Sequence, residues 1–265
     1  MYSKLQLGKK YIQYYLTAAN SKGHGIHSPF VFDLVTRVFN NGGQYYCYSA
    51  IEQVRAQLME DNTVLTLEDF GAGSRVSAHK QRSVSFIAKS SLKPRKFGTL
   101  FFRLVNYFQP NNIIELGTSL GITTAYMACA KPDAKVTSFE GAGAVAALAR
   151  QNVETLGLGN ITIVQGNFDD TLAGFLRQTT TVDFAFVDGN HRKQPTLVYF
   201  AQLLEKSGEH TVLVFDDIHW SAEMDEAWAA IKAHPHVTLT VDLFFIGLVF
   251  LRSENKEKQH FVIRF

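Results

Sequence analysis

The sequence predicts an α/β fold preceded by a helical N-terminal extension, and three observations carry that prediction. From Ile113 onward, apolar strand-like runs alternate with helix-compatible sequence of the length a strand-to-strand crossover needs. The last two runs follow each other too closely for a crossover and so predict an antiparallel hairpin. The first strand of the series ends in a glycine turn that opens directly into a helical pattern.

Taken in order, residues 1 to about 60 read as helical. Leu5, Ile12, Tyr15 and Leu16 can share one helix face. Ser28-Pro29 supplies a cap and a first-turn proline for PFVFDLVTRVF, and Asn41-Gly42-Gly43 stops it. Ser49 followed by Glu52 predicts a capping box for the next helix. The parallel-type strands are predicted at Ile113–Leu116, Val136–Glu140, Ile161–Val164, Val182–Asp188 and Thr211–Asp216. Ser221 is the expected cap of a helix over Ser221–Ala233, and Val237–Leu243 with Ile246–Arg252 form the hairpin. The division expected is residues 1–97 as a helical extension or substrate lid and 98–265 as the main domain.

Composition narrows the classes. A length of 265 residues fits one sizeable domain or a core with an appendage, and 46% hydrophobic content with 21 Phe supports an aromatic-rich core. A net charge of +2 gives no case for a general nucleic-acid binder. Cys47 and Cys129 are far apart and lack C-x-x-C spacing, which predicts a reduced protein with no disulfide framework and no cysteine zinc site. No continuous apolar leader and no run near the roughly 18 residues of a membrane span is visible, so a soluble, cytoplasmic protein is expected.

The stretch Asn111 to Met127, NNIIELGTSLGITTAYM, is the most informative. A strand, a glycine turn and a helix N-terminus bring backbone N–H groups together, a place for the polar end of a nucleotide-like ligand. Gly117 lets the backbone turn close to a ligand, and Gly121 lets the helix sit tight on the strand. The next strand ends in Glu140, 25 residues after Glu115, where an acid can accept hydrogen bonds from both ribose hydroxyls. Here the chain resembles the class I S-adenosylmethionine-dependent methyltransferases, whose first motif has the form E-x-G-x-x-x-G. The resemblance implies a Rossmann-like, doubly wound, mainly parallel seven-stranded sheet with a C-terminal antiparallel hairpin. It also implies S-adenosylmethionine as cofactor, held by Glu115, Gly117, Thr118, Ser119, Gly121 and Glu140, with Asn167 and Phe168 at the adenine and Asp188 nearby.

Two later clusters, Asp188-Gly189-Asn190-His191 and Asp216-Asp217-Ile218-His219-Trp220, resemble those of the small O-methyltransferases of the catechol and caffeoyl-coenzyme A type. That resemblance implies Asp188, Asp216 and Asp217 as ligands of Mg²⁺ or another divalent cation, and His191 as general base beside a catalytic Asp188. Asp217 stands where the family has Asn, and His191 where its metal-dependent members usually have Lys. Three carboxylates suit a hard cation. The alternative is that Asp216 and Asp217 merely cap the following turn. His191 can take a proton from a hydroxyl near neutral pH, and His219 is a second candidate base. His24 and His27 fall in a segment able to cover the site and receive no role.

The chain contains no N-P-P-Y or D-P-P-Y and no Pro-Cys pair, which disfavours methylation of base amines or of pyrimidine carbon. Oxygen methylation of a small-molecule hydroxyl is the expected chemistry. A second glycine turn, Asp69–Ser74, has no acid between Phe70 and Ile114 to serve a ribose and is read as a loop or helix start. That acid-free stretch carries Arg75, Lys80, Arg82, Lys89, Lys93, Arg95, Lys96 and Arg103. It is either a solvated face or a basic rim for an anionic substrate or RNA. The rival readings are an RNA-directed methyltransferase, a nucleotide-binding protein without turnover, and a nicotinamide oxidoreductase, the last disfavoured by the missing third glycine. The tail Gln259–Phe265 can add an edge strand or pair with a second copy of the chain as a homodimer.

Overall fold

The N-terminal helix is anchored by a different face from the one its aliphatic residues suggest. The computed structural model describes residues 1–19, 26–67 and 81–265. Within them the chain forms two compact units, one of residues 1–41 with 179–265 and one of residues 42–178. Elements are numbered in chain order.

The first unit begins with α1 (Lys4–Thr17), opened by a capping box between Ser3 and Gln6. Leu5, Ile12 and Leu16 stay largely exposed. Tyr14 and Ala18 are buried instead, in a cluster with Phe244 and Leu7. The Tyr14 hydroxyl donates to the Ile263 carbonyl at 2.5 Å, and the Tyr11 and Tyr14 rings lie 5.0 and 5.2 Å from that of Phe244. Aromatic rings carry more contact area than the aliphatic stripe, so they decide which face docks. Helix α2 (Pro29–Asp33) starts on Ser28 and Pro29 as expected and runs on as a π-helical stretch, Leu34–Phe39.

In the second unit, α3 spans Tyr48–Glu60 and starts one residue before Ser49, with no side-chain cap at Cys47. The expected capping box is absent because Glu52 is engaged elsewhere. Its carboxylate accepts from Tyr126 Oη at 2.7 Å and from Arg55 Nε at 3.0 Å. Strands β1 (Val64–Thr66) and β2 (Gln81–Ser83) pair antiparallel, followed by α4 (Val84–Ser91) and α5 (Arg95–Phe108). The glycine turn Asp69–Ser74, Arg75, Lys80 and, earlier, His24 lie outside the described residues.

Then come β3 (Asn112–Leu116), α6 (Ile122–Ala130), β4 (Lys135–Glu140), α7 (Gly143–Thr155), β5 (Ile161–Gln165) and α8 (Phe168–Gln178), with β3, β4 and β5 paired parallel in that order. Every residue of α6 is buried, which accounts for its apolar, small-residue sequence ITTAYMACA.

The first unit resumes with β6 (Val182–Val187), α9 (Lys193–Leu204), β7 (Ser207–Asp216), α10 (Ala222–Ala233), β8 (Leu239–Asp242), β9 (Ile246–Phe250) and β10 (Gln259–Val262). Its strands run in the order β10-β8-β9-β7-β6. Strands β6 and β7 are parallel, and β9 is antiparallel to both β7 and β8, so the hairpin is present. Ser221 caps α10 by accepting from the Met224 N–H. The seven expected strands are β3 to β9. The tail adds β10, parallel to β8, as an edge strand. The result is an α/β fold with mostly parallel strand pairing. Among the described residues, no helix is long and apolar enough to cross a membrane.

Gly247 in β9 faces the indole of Trp228, and a Cβ there would sit 2.6 Å from Cη2. That ring is fully buried and cannot swing away. Gly247→Ala is therefore expected to lower the unfolding free energy by about 1–3 kcal/mol, measured by denaturant titration.

Candidate functional site

The glycine turn of the second unit is built on a buried acid. Glu115 is inaccessible to solvent, and its Oε2 accepts from Ser138 Oγ at 2.6 Å and from the Thr124 hydroxyl. Its Oε1 is buried with no hydrogen-bond partner. Burial pushes its carboxyl pKa up to about 8, against the pull of the two hydroxyls. Glu115 thus supports the turn from beneath. Ser138, its partner across the β3–β4 ladder, is a signal the sequence offered only once the strand register was known.

Above it the backbone takes positive φ at Gly117 (104°), Ser119 (48°) and Gly121 (80°). Gly121 begins α6 and packs against α7, its virtual Cβ 3.4 Å from the Ala149 carbonyl oxygen. The N–H groups expected to converge on a ligand are largely used by the protein. Those of Gly117 and Thr118 donate to the Phe139 carbonyl, that of Gly121 to the Thr118 carbonyl, and that of Ser119 to Glu140 Oε2 at 2.9 Å. Thr118 is buried, its hydroxyl 2.5 Å from Ser138 Oγ. The Ser119 hydroxyl is buried without a partner, a polar group left for something the chain does not supply.

Glu140 stands at the end of β4, and its Oε1 accepts from the Ala142 N–H at 3.0 Å. Burial raises its pKa, opposed by the backbone donors. Asn167 caps the start of α8, its Oδ1 accepting from the Asp169 N–H at 3.2 Å. Phe168, the first residue of α8, is half-buried.

In the first unit, ligand atoms of Asp188, His191 and Asp216 lie within 4.8 Å of one another. His191 Nε2 is 3.5 Å from Asp188 Oδ1. Asp217 is not part of that group and takes a left-handed backbone, φ 52°, in the turn closed by the Trp220 N–H on its carbonyl. Asn190 (φ 66°) and His191 (φ 37°) are consecutive left-handed residues, a strained pair of a kind that concentrates at functional sites. Two carboxylates and an imidazole suit Mn²⁺ or Zn²⁺, and with bound water Mg²⁺.

His219 is not available as a base. Nδ1 lies 2.6 Å from Asp225 Oδ1 and Nε2 2.7 Å from Asp242 Oδ2. Both partners accept, so both nitrogens donate. Burial opposes the charge, but the bonds to Asp242 and Asp225 outweigh it and raise the His219 pKa above the ordinary 6.5. Asp225 also accepts from the Tyr2 hydroxyl and pairs with Lys10, and for all its burial its pKa is lowered. His219 therefore ties α1 to α10 and β8, and its partners could not be found from spacing. A raised histidine contributes stability that is complete below pH 6.5 and lost as pH rises through its folded pKa. The lowered Asp225 contribution is lost in acid, below 3.8. Denaturant titrations at pH 6 and pH 9 are expected to show a drop that is smaller in His219→Gln than in the parent.

In the basic stretch, Arg103 is buried beside Tyr48 and Tyr45, and burial lowers its pKa. Arg95 donates to the Gln44 side chain at 3.0 Å. Arg103 at least belongs to the core and not to a charged rim.

An acid-supported glycine turn ahead of a buried helix, with a second acid ending the next strand, is the arrangement of a Rossmann-like methyltransferase fold. Residues 114–218 match a family described as a methyltransferase domain. A catechol O-methyltransferase of Niastella koreensis is 30% identical over 131 residues, 48% of this chain and 58% of that protein, so the match spans little more than half of that relative's length. Among solved structures, an O-methyltransferase of Bacillus cereus in complex with SAH is similar at TM-score 0.55 and 21% identity, covering 80% of this chain and 93% of that one. The SAH-bound Podospora anserina methyltransferase PaMTH1 covers 96% and 98% at TM-score 0.57 and 11% identity. These two likenesses show the fold.

Proposed function

We propose that the protein is an S-adenosylmethionine-dependent O-methyltransferase acting on a small-molecule hydroxyl. The observation that carries the reading is the turn Glu115–Gly121 with Glu140 at the end of the neighbouring strand. Glu140 would bind the ribose hydroxyls through its remaining lone pairs, and the unpartnered Ser119 hydroxyl would hold the methionine end. Asn167 and Phe168 would serve the adenine. When bound, S-adenosylmethionine supplies a methyl group already activated on a sulfonium. His191 takes the proton of the acceptor hydroxyl, and Asp188, 3.5 Å away, orients the imidazole and stabilises its charge.

A second reading of the first-unit cluster is favoured by its geometry. Asp188, His191 and Asp216 would hold a divalent cation, which when bound supplies a Lewis acid for the acceptor oxygen. In that case His191 is a ligand and not the base, so the two roles exclude each other. Oxygen acceptors of the catechol type fit either, and the Niastella relative bears that name.

Calorimetric titration with S-adenosylhomocysteine tests the cofactor. Micromolar binding that is lost in Glu140→Ala supports the reading, and absence of binding to the parent protein sinks it. Titration with Mn²⁺ or Mg²⁺ decides the second question: heat that disappears in Asp216→Asn assigns a metal, and none leaves His191 as the base.

A further inference from the structure

Cys47 and Cys129 are the only cysteines and stand 82 residues apart in the chain. The fold nevertheless brings both to the wall of one cavity, just before α3 and near the end of α6, where each sulfur acts on the other. Both are 5% exposed, yet both line a cavity of about 590 Å³ together with Tyr46, Ala50, Pro132 and the turn from Leu156 to Asn160. The Tyr46 hydroxyl donates to the Cys129 carbonyl at 2.9 Å, while its ring stands largely exposed at the rim. Pro132 and Asn160 precede β4 and β5, so this cavity opens at the amino ends of those strands. The glycine turn lies at the opposite, carboxyl ends and at the other end of α6. It is a separate site within the same unit.

We propose that Cys47 and Cys129 are a redox pair, closed to a disulfide by a hydroperoxide entering this cavity and reopened by a thiol reductant. Two neighbouring thiols share the loss of a proton. The interaction between the two sulfurs lowers the Cys129 pKa against the effect of burial and pushes that of Cys47 up. The pair therefore presents a thiolate more readily than either buried thiol alone. That thiolate attacks the hydroperoxide: an S–O bond forms, the O–O bond breaks, and the departing oxygen takes a proton and leaves as an alcohol or water. The second cysteine, losing its proton, attacks the resulting sulfenic sulfur. The S–S bond forms, the S–O bond breaks, and the hydroxide leaves as water. Two thiols are oxidised by two electrons and one hydroperoxide is reduced.

The test is intact-mass analysis of the full chain treated with hydrogen peroxide, then unfolded in iodoacetamide. The expected result is a loss of about 2 Da, the two hydrogens of a disulfide, with neither cysteine alkylated, reversed by dithiothreitol. Cys47→Ser and Cys129→Ser should each abolish the cross-link, and the remaining cysteine should be trapped by dimedone as a sulfenic acid. Two alkylatable cysteines after peroxide, or independent sulfinic acids without a cross-link, would overturn the proposal. The measurement on the parent chain decides it even if a variant fails to fold.

Discussion

On the proposed function, replacing His191 by alanine is expected to slow methyl transfer to the acceptor hydroxyl by about 10²–10⁴-fold, the range that loss of a positioned general base produces. Affinity for S-adenosylhomocysteine should stay within a few-fold of the parent, because His191 lies on the turn after β6 and the proposed cofactor residues other than Asp188 lie between Glu115 and Phe168. The strained backbone supports a chemical role. Asn190 and His191 both hold positive φ, held in part by the Asn190 amide on the Tyr199 hydroxyl at 2.7 Å and the His191 N–H on the Gly189 carbonyl at 2.8 Å. Steady-state kinetics on His191→Ala with calorimetry on the same preparation checks this. Unchanged turnover removes His191 from the mechanism. Unchanged turnover together with lost Mn²⁺ binding makes the cation dispensable as well.

Glu115→Gln is expected to change how stability depends on pH. The folded pKa of about 8 lies well above the ordinary 4.5, so the folded state binds the proton more tightly than the unfolded chain. Stability is then greatest below pH 4.5 and falls as pH rises towards 8. At pH 7 the loss is about 3 kcal/mol, from two and a half pH units at roughly 1.4 kcal/mol each. Glutamine is neutral throughout and keeps an acceptor for Thr124 and Ser138, so its unfolding free energy should lack this slope. Denaturant titrations of parent and variant from pH 5 to 8 compare the two, and parallel curves would show that Glu115 is not held protonated. The orphan Oε1 agrees with a neutral side chain, because a buried ionised oxygen without a donor costs more than a neutral one.

The strand and helix alternation from Ile113 to Phe250, the glycine turn, the Ser28 and Ser221 caps and the terminal hairpin were all legible because they are local. Hydrophobic period, turn residues and caps act within a few positions of one another. The capping box at Ser49 failed for a reason no local pattern contains, since Glu52 is drawn to Tyr126, 74 residues on. The stripe of Leu5, Ile12 and Leu16 lost to the tyrosine face because Phe244 offers rings to pack against.

His219 was a plausible base until Asp225 and Asp242 took both its nitrogens, one of them from a strand 23 residues away. Among the acidic residues, motif order could align Asp188, Asp216 and Asp217. Only the folded chain brings a His191 ligand atom within 4.8 Å of those of the first two, in a group that does not include Asp217. By itself, then, the sequence determined the fold class, the glycine turn and the acids that end the strands, through short-range geometry. Which side chains are buried, charged, paired or adjacent, including two cysteines 82 residues apart, was decided by the tertiary structure. Desolvation and long-range hydrogen bonding exist only once the chain has closed on itself.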